Sequence, residues 1–346
     1  MAGAAFAGHT RRVRRVVLVA VLAAARPVLA DVIAVPAAPA DPERGNFWRD
    51  VVAPHQAEVN AILAKVRNAL NQADNALASD YDPAAQEHLR FYREVLGPLK
   101  YARRLQPDNV DVLRLYAQVC DELGKTREAI EALQAAIDVT GPTRIPADIA
   151  GRLGIIYLRL GKIDDAIRYL RMAQAPLTPQ LPMSAHVLVH LSNALAARGQ
   201  TGEAIDLLAN AVPLNAPYYS TEAALVAFSL AVQYDRDEEH GAAFEVLDRM
   251  QSVLQGQMAA LVQTSLAQMR FAPAEDQHYY LGLLYEAVGS YTEARAEWAL
   301  YAASGDLPYR GRALDHITAI DALRRSPAAA PPAVAPIPRR YRGAVP

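Results

Sequence analysis

The residues best placed to do chemistry are His186 and His190, in the run SAHVLVH. Four positions apart on a helix, two imidazoles face the same way and can share a metal ion. A protein metal site needs further ligands, and no third one is marked near the pair. The Glu of a zinc-protease helix is also missing. The pair reads better as two polar side chains lining a groove, so no metal is assigned. The one cysteine, Cys120, excludes an intramolecular disulfide and any Cys-based zinc site. It reads as a small buried hydrophobe. No glycine-rich phosphate loop, nucleophile elbow or motif-borne carboxylate pair occurs. The expectation is a protein with no enzymatic activity, no cofactor and no metal; a metal-dependent enzyme would rest on His186 and His190 alone.

The elements that would position such residues are helices. The 346 residues are 52% hydrophobic but only 7% aromatic, the balance of an Ala- and Leu-rich all-α chain. A net charge of −2 carries no basic excess, which argues against a nucleic-acid partner. Gly154 to Ala173, GIIYLRLGKIDDAIRYLRMA, gives the local pattern. A helix ends in Tyr157, Gly161 breaks the pattern, and a second helix carries Ile163, Ala166, Ile167, Leu170 and Ala173 at helical spacing.

That pattern recurs. Small residues expected where two helices cross are Ala129, Ala166, Ala204, Ala243 and Ala294, spaced 37, 38, 39 and 51 apart. Nine positions before them lie Cys120, Tyr157, Leu195, Tyr234 and Tyr285; four after lie Leu133, Leu170, Leu208, Leu247 and Trp298. Five before lie Gly124, Gly161, Gly199, Glu238 and Gly289, the turns. Periods in the thirties predict stacked helix pairs, each burying a stripe that it cannot bury alone.

The array resembles the tetratricopeptide repeat (TPR) family, a helix-turn-helix unit of about 34 residues. The closest units are Leu153-Gly154, Tyr157, Gly161, Ala166, Leu170 and Ala173, and Leu281-Gly282, Tyr285, Gly289, Ala294 and Trp298. The resemblance implies a right-handed α-solenoid of stacked antiparallel helix pairs over residues 108–308, with an inserted helix at about 255–272. Spacings above 34 and a fourth unit without the turn glycine depart from the family pattern.

The resemblance also implies a concave groove lined by the first helix of each unit. In this chain the matching positions are Arg114 and Gln118; Arg152, Ile155 and, one turn on, Arg159; His186, Val189, His190 and Asn193; Phe228, Ser229 and Val232; and Tyr279, Tyr280 and Leu283. The groove would run from a basic and polar end to an apolar and aromatic end, suiting a peptide with an acidic and a hydrophobic part. Asn193 matches a family position that bonds a peptide backbone. The paired Lys of the family's carboxylate clamp is absent.

The ends of the chain add a compartment. Arg11, Arg12, Arg14 and Arg15 precede an apolar run, Val16 to Ala25, and a small-residue exit at Val28-Leu29-Ala30. This order predicts a signal peptide over residues 1–30, cleaved near Ala30. Ten apolar residues span about 15 Å as a helix, half of the roughly 30 Å hydrocarbon core, so no transmembrane segment follows. Cleavage removes five Arg and no acid, leaving a net charge of −7. Residues 31–46 read as a flexible Pro/Ala linker and 47–107 as a degenerate N-terminal helix pair, with Gly97-Pro98 expected to kink its second helix. Residues 309–325 form a capping helix through Ala313, Ile317, Ile320 and Leu323; the tail 326–346, with six Pro and Arg339, Arg340 and Arg342, reads as disordered. The functional expectation is an exported, periplasmic or secreted scaffold that binds another envelope protein or a peptide segment. The alternative is an accessory subunit of an envelope export or cell-wall assembly machine.

Overall fold

The computed structural model describes residues 55–79, 87–141, 145–174, 182–215 and 220–325. The leader, the linker and the tail lie outside these residues. The chain divides into two units, residues 1–58 and 59–346; in the first only residues 55–58 are described.

Fourteen α-helices occur among the described residues. Two precede the array, α1 (Gln56–Ser79) and α2 (Glu87–Leu105), the latter running through Gly97-Pro98 as one helix. Five pairs follow: α3 (Val110–Glu122) with α4 (Thr126–Thr140), α5 (Ala147–Arg159) with α6 (Ile163–Ala173), α7 (Pro182–Ala197) with α8 (Thr201–Asn215), α9 (Thr221–Arg236) with α10 (His240–Leu254), and α12 (Asp276–Ala287) with α13 (Tyr291–Ala303). Between the fourth and fifth pairs sits α11 (Met258–Ala267), and α14 (Arg310–Arg325) comes last. Each pair packs on itself and on the next, and α14 packs on α13. The fold is an all-α solenoid of stacked antiparallel helix pairs, as the sequence predicts.

The five turns are built by one hydrogen-bond pattern. At the end of each first helix a residue enters the left-handed region: Gly124, Gly161, Gly199, Glu238 and Gly289, with φ between 62° and 83°. Its N–H donates to the carbonyl three residues back, and the next residue's N–H to the carbonyl five back. In the second unit these are Gly161 to Leu158 at 3.0 Å and Lys162 to Tyr157 at 2.9 Å. In the fourth they are Glu238 to Asp235 at 3.1 Å and Glu239 to Tyr234 at 2.9 Å. This double bond satisfies the last carbonyls of the helix and sends the chain straight into its partner. Glu238 adopts the glycine conformation without being glycine, so the fourth unit keeps the turn at a steric cost.

The crossing alanines are buried without exception, between 0% and 4% exposed. Two crossings also require glycine. A Cβ on Gly154 would lie 2.6 Å from Leu170 Cγ, and one on Gly282 would lie 2.7 Å from Trp298 Cδ2. Gly282 makes room for the indole that replaces Leu in the fifth unit.

Two expectations are corrected in detail. The inserted helix is shorter than residues 255–272, because Gln255 and Gly256 take positive φ and end α10, and the helical pattern stops at Ala267. In α14 the buried stripe is Ala313, His316 and Ile320, while Leu323 is 45% exposed.

Candidate functional site

All fifteen candidate groove residues lie on the first helices α3, α5, α7, α9 and α12. They do not share one exposed surface. Arg114, Gln118, Arg152, Ile155, Arg159 and His186 are partly exposed. Val189, Phe228, Ser229, Val232, Tyr279 and Tyr280 are 0% exposed, and His190, Leu283 and Asn193 only 2%, 5% and 7%. The expected apolar and aromatic end of the groove is therefore core. Tyr279 packs against Trp298, Tyr301 and Tyr309, and the insertion, which a regular array lacks, covers α9 and Tyr280. Helix α11 packs on α9, where Ser265 Oγ donates to the Thr221 carbonyl at 2.7 Å. Beyond it, Phe271 lies 5.1 Å from the Tyr280 ring, which in turn meets Phe228 at 6.1 Å.

Asn193 is engaged inside the molecule. Its Oδ1 accepts from Gln233 Nε2 at 2.8 Å, Tyr280 Oη at 3.1 Å and Arg236 Nη1 at 3.3 Å. Its carbonyl is thus committed to three donors from α9 and α12 rather than open to a peptide backbone. Arg236 lies 2.9 Å from Asp276 and beneath the rings of Tyr279 and Tyr309, 4.8 and 4.5 Å from their centroids. A buried guanidinium needs such charge and ring partners to offset its lost hydration.

The network continues to α14. Asp235 accepts from Tyr279 Oη at 2.7 Å and from Arg312 Nη2 at 2.6 Å, and it faces His316 Nε2 at 3.0 Å. On the other side His316 Nδ1 faces Glu286 at 2.8 Å, and Trp298 Nε1 donates to the same carboxylate at 3.0 Å. Burial alone would lower the His316 imidazole, but its hydrogen bonds to Asp235 and Glu286 outweigh that and raise its pKa to about 9. Burial would raise the Asp235 carboxyl, but His316, Arg312 and Tyr279 hold it down at about 2. His316 is thus a cation clamped between two carboxylates and stacked 4.3 Å from Trp298. With Asp235, Tyr279 and Trp298 buried and Glu286 and Arg312 partly so, the cluster fastens α9, α12 and α14 together.

The basic end of the expected groove is neutralised by residues that sequence reasoning missed. Arg152 lies 3.6 Å from Asp121 and 4.0 Å from Glu122; Arg159 pairs with Asp121; Arg114 pairs with Asp148 at 3.1 Å. A third guanidinium reaches the Asp121 and Glu122 carboxylates: Arg270 arrives from beyond α11 and pairs with both. Asp121 and Glu122 end a first helix three and two positions before the turn glycine Gly124, a place at which sequence gives no sign of a distant partner. The Arg270-Phe271 dipeptide follows the inserted helix, and that alone could have drawn notice.

Of the histidine pair, His190 is buried and His186 partly exposed. Burial pushes the His190 pKa down to about 3, helped by the positive charge of its neighbours His186 and Arg159. Among the described residues no group of three or more His, Cys, Asp or Glu is placed to hold a metal. Cys120 is buried, as its repeat position predicts, with its thiol pKa raised by burial. No helix among the described residues is long and apolar enough to cross a membrane.

Residues 121–182 and 152–220 match the family model of the tetratricopeptide repeat. No curated protein matches the chain. Among solved structures, PilW, a type IV pilus biogenesis factor, is 17% identical, covers 72% of this chain and 97% of its own, and superposes with a TM-score of 0.44. The C-terminal part of a TPR repeat-containing protein from Cytophaga hutchinsonii is 18% identical over 75% of this chain and 98% of its own, with a TM-score of 0.39. A tetratricopeptide repeat protein from Parabacteroides merdae is 11% identical over 75% and 99%, with a TM-score of 0.37. Residues 121–220 thus match tetratricopeptide repeats, and the same hydrogen-bonded turn is repeated from Gly124 as far as Gly289.

Proposed function

We propose that this chain is an exported interaction scaffold that binds another protein through the face formed by its first helices. One observation carries the reading: five stacked helix pairs place partly exposed Arg114, Gln118, Arg152, Ile155, Arg159 and His186 on successive first helices of units one to three. Stacked repeats expose such a continuous surface as a consequence of how they pack, and they use it for binding. Binding rather than catalysis suits a face whose charges are matched within the chain. The binding surface is smaller than the sequence implies, because units four and five contribute buried residues. Export rests on the leader pattern in residues 11–30.

Two experiments test the two halves. Mass spectrometry of the mature protein is expected to find a chain that begins near Asp31; a cytosolic chain that begins at Met1 or Ala2 overturns export. Affinity capture from cells is expected to retain one protein on the parent chain and to lose it with Gln118→Trp, a bulky block on the exposed part of α3. Circular dichroism would show the variant folded. Capture that the block leaves unchanged overturns the face assignment. Stoichiometric recovery with a membrane complex would identify the scaffold as that machine's accessory subunit.

A further inference from the structure

A solenoid repeat touches its neighbours and little else. The segment Met269 to Ala272 breaks that rule. It has no regular secondary structure, yet it reaches both ends of the array. Arg270 pairs with Glu122 on α3, 148 positions away in sequence. Met269 and Phe271 are buried at 8% and 9% exposure in the hydrophobic cluster of units three to five, with Phe271 against Tyr280. Ala272 packs against the other cluster, which runs from Val59 to Ala204. The contact is side-chain chemistry: a carboxylate takes the guanidinium and an aromatic wall takes the ring. Glu122 has one further cation within 4.0 Å, Arg152 at that limit, whereas Asp121 keeps Arg152 and Arg159. Arg270 is therefore the chief partner of Glu122 and the removable member of the cluster, with 34% of its side chain exposed.

We propose that Met269 to Ala272 is a built-in, displaceable occupant of the first-helix face, and that this face takes a partner segment in which an Arg or Lys stands next to an aromatic residue. The inference rests on the scaffold reading and changes its chemistry. The expected ligand had an acidic part to meet Arg152 and Arg159, but those two are already paired with Asp121. The carboxylate of Glu122 and the ring of Tyr280 select a cation and an aromatic instead. A partner of that chemistry competes with the chain's own segment, so the face is closed until the competitor is present at sufficient concentration.

The test uses the full chain and a fluorescent peptide of residues 266–275, LAQMRFAPAE. Arg270→Ala is expected to bind the peptide at least tenfold more tightly than the parent, because the internal competitor has lost its anchor. Glu122→Gln added to that variant is expected to return binding to the parent level. A peptide with Glu for Arg270 and Ala for Phe271 is expected not to bind. Equal binding by the parent and Arg270→Ala, or no loss with Glu122→Gln, overturns the proposal. Hydrogen exchange on the parent gives a check that needs no variant. Residues 269–272 are expected to exchange at least tenfold faster than α9 and α12; exchange at the rate of those helices makes the segment a fixed part of the core and overturns the proposal. If the peptide binds the opened variant while no cellular protein is captured, the scaffold reading fails alone. If a protein is captured through the first-helix face while the peptide does not bind, this inference fails alone.

Discussion

Single residues decide whether each pair can close. Glu238 and Gly282 make opposite predictions. Glu238 sits at φ 62°, a conformation that costs a side-chain-bearing residue about 1–2 kcal/mol, partly offset by a less flexible unfolded chain. Glu238→Gly is therefore expected to raise stability by up to about 1 kcal/mol, read as a higher urea midpoint. Gly282 instead meets Trp298, and Gly282→Ala is expected to cost about 1–3 kcal/mol by overpacking. Two histidines set the pH profile. The His190 pKa falls to about 3 from an ordinary value near 6.5, so between those values the unfolded state binds more protons and stability rises with pH. The His316 pKa rises to about 9, so between 6.5 and 9 the folded state binds more protons and stability falls as pH rises. A stability maximum near pH 6.5 follows, with the acid limb on the order of 5 kcal/mol and the alkaline limb on the order of 3 kcal/mol. His316→Gln is expected to flatten the alkaline limb and leave the acid limb in place, in urea titrations across pH. The turn glycines and crossing alanines were legible in the sequence, because backbone conformation and close packing admit few residue types. Roles for His190 and His316 were not, because side-chain spacing says nothing about how deeply a histidine is buried or which charged groups arrive from other helices.

At the scale of elements, the buried lattice around Asn193 joins α7, α9 and α12. Asn193→Ala would leave the Tyr280 hydroxyl, the Gln233 amide and Arg236 short of an acceptor in a dry site. The expected cost is about 2–3 kcal/mol, measured by denaturation, with helix content unchanged in native buffer. A site open to solvent would lose little, since water would replace the amide. The first-helix assignment of all fifteen candidates came from repeat register alone. Their exposure could not, because it depends on α11. That helix follows the positive φ of Gln255 and Gly256 and turns back onto α9, a tertiary choice that local pattern does not encode. Phe228 shows the consequence: its register places it on the binding face, and α11 and α12 make it core.

At the scale of the molecule, repeat register fixed the architecture and left the binding surface to be found. The partly exposed first-helix residues in units one to three compete with the most exposed large hydrophobic side chain among the described residues, Phe244 on α10, which is 69% exposed. The account places the partner on the former. Site-specific photo-crosslinking in living cells separates them, with a photoreactive amino acid at Gln118, at Ile155 or at Phe244. The account predicts that one and the same protein is trapped from Gln118 and Ile155 and is not trapped from Phe244. Trapping from Phe244 alone, or different proteins from the two first-helix positions, would contradict it.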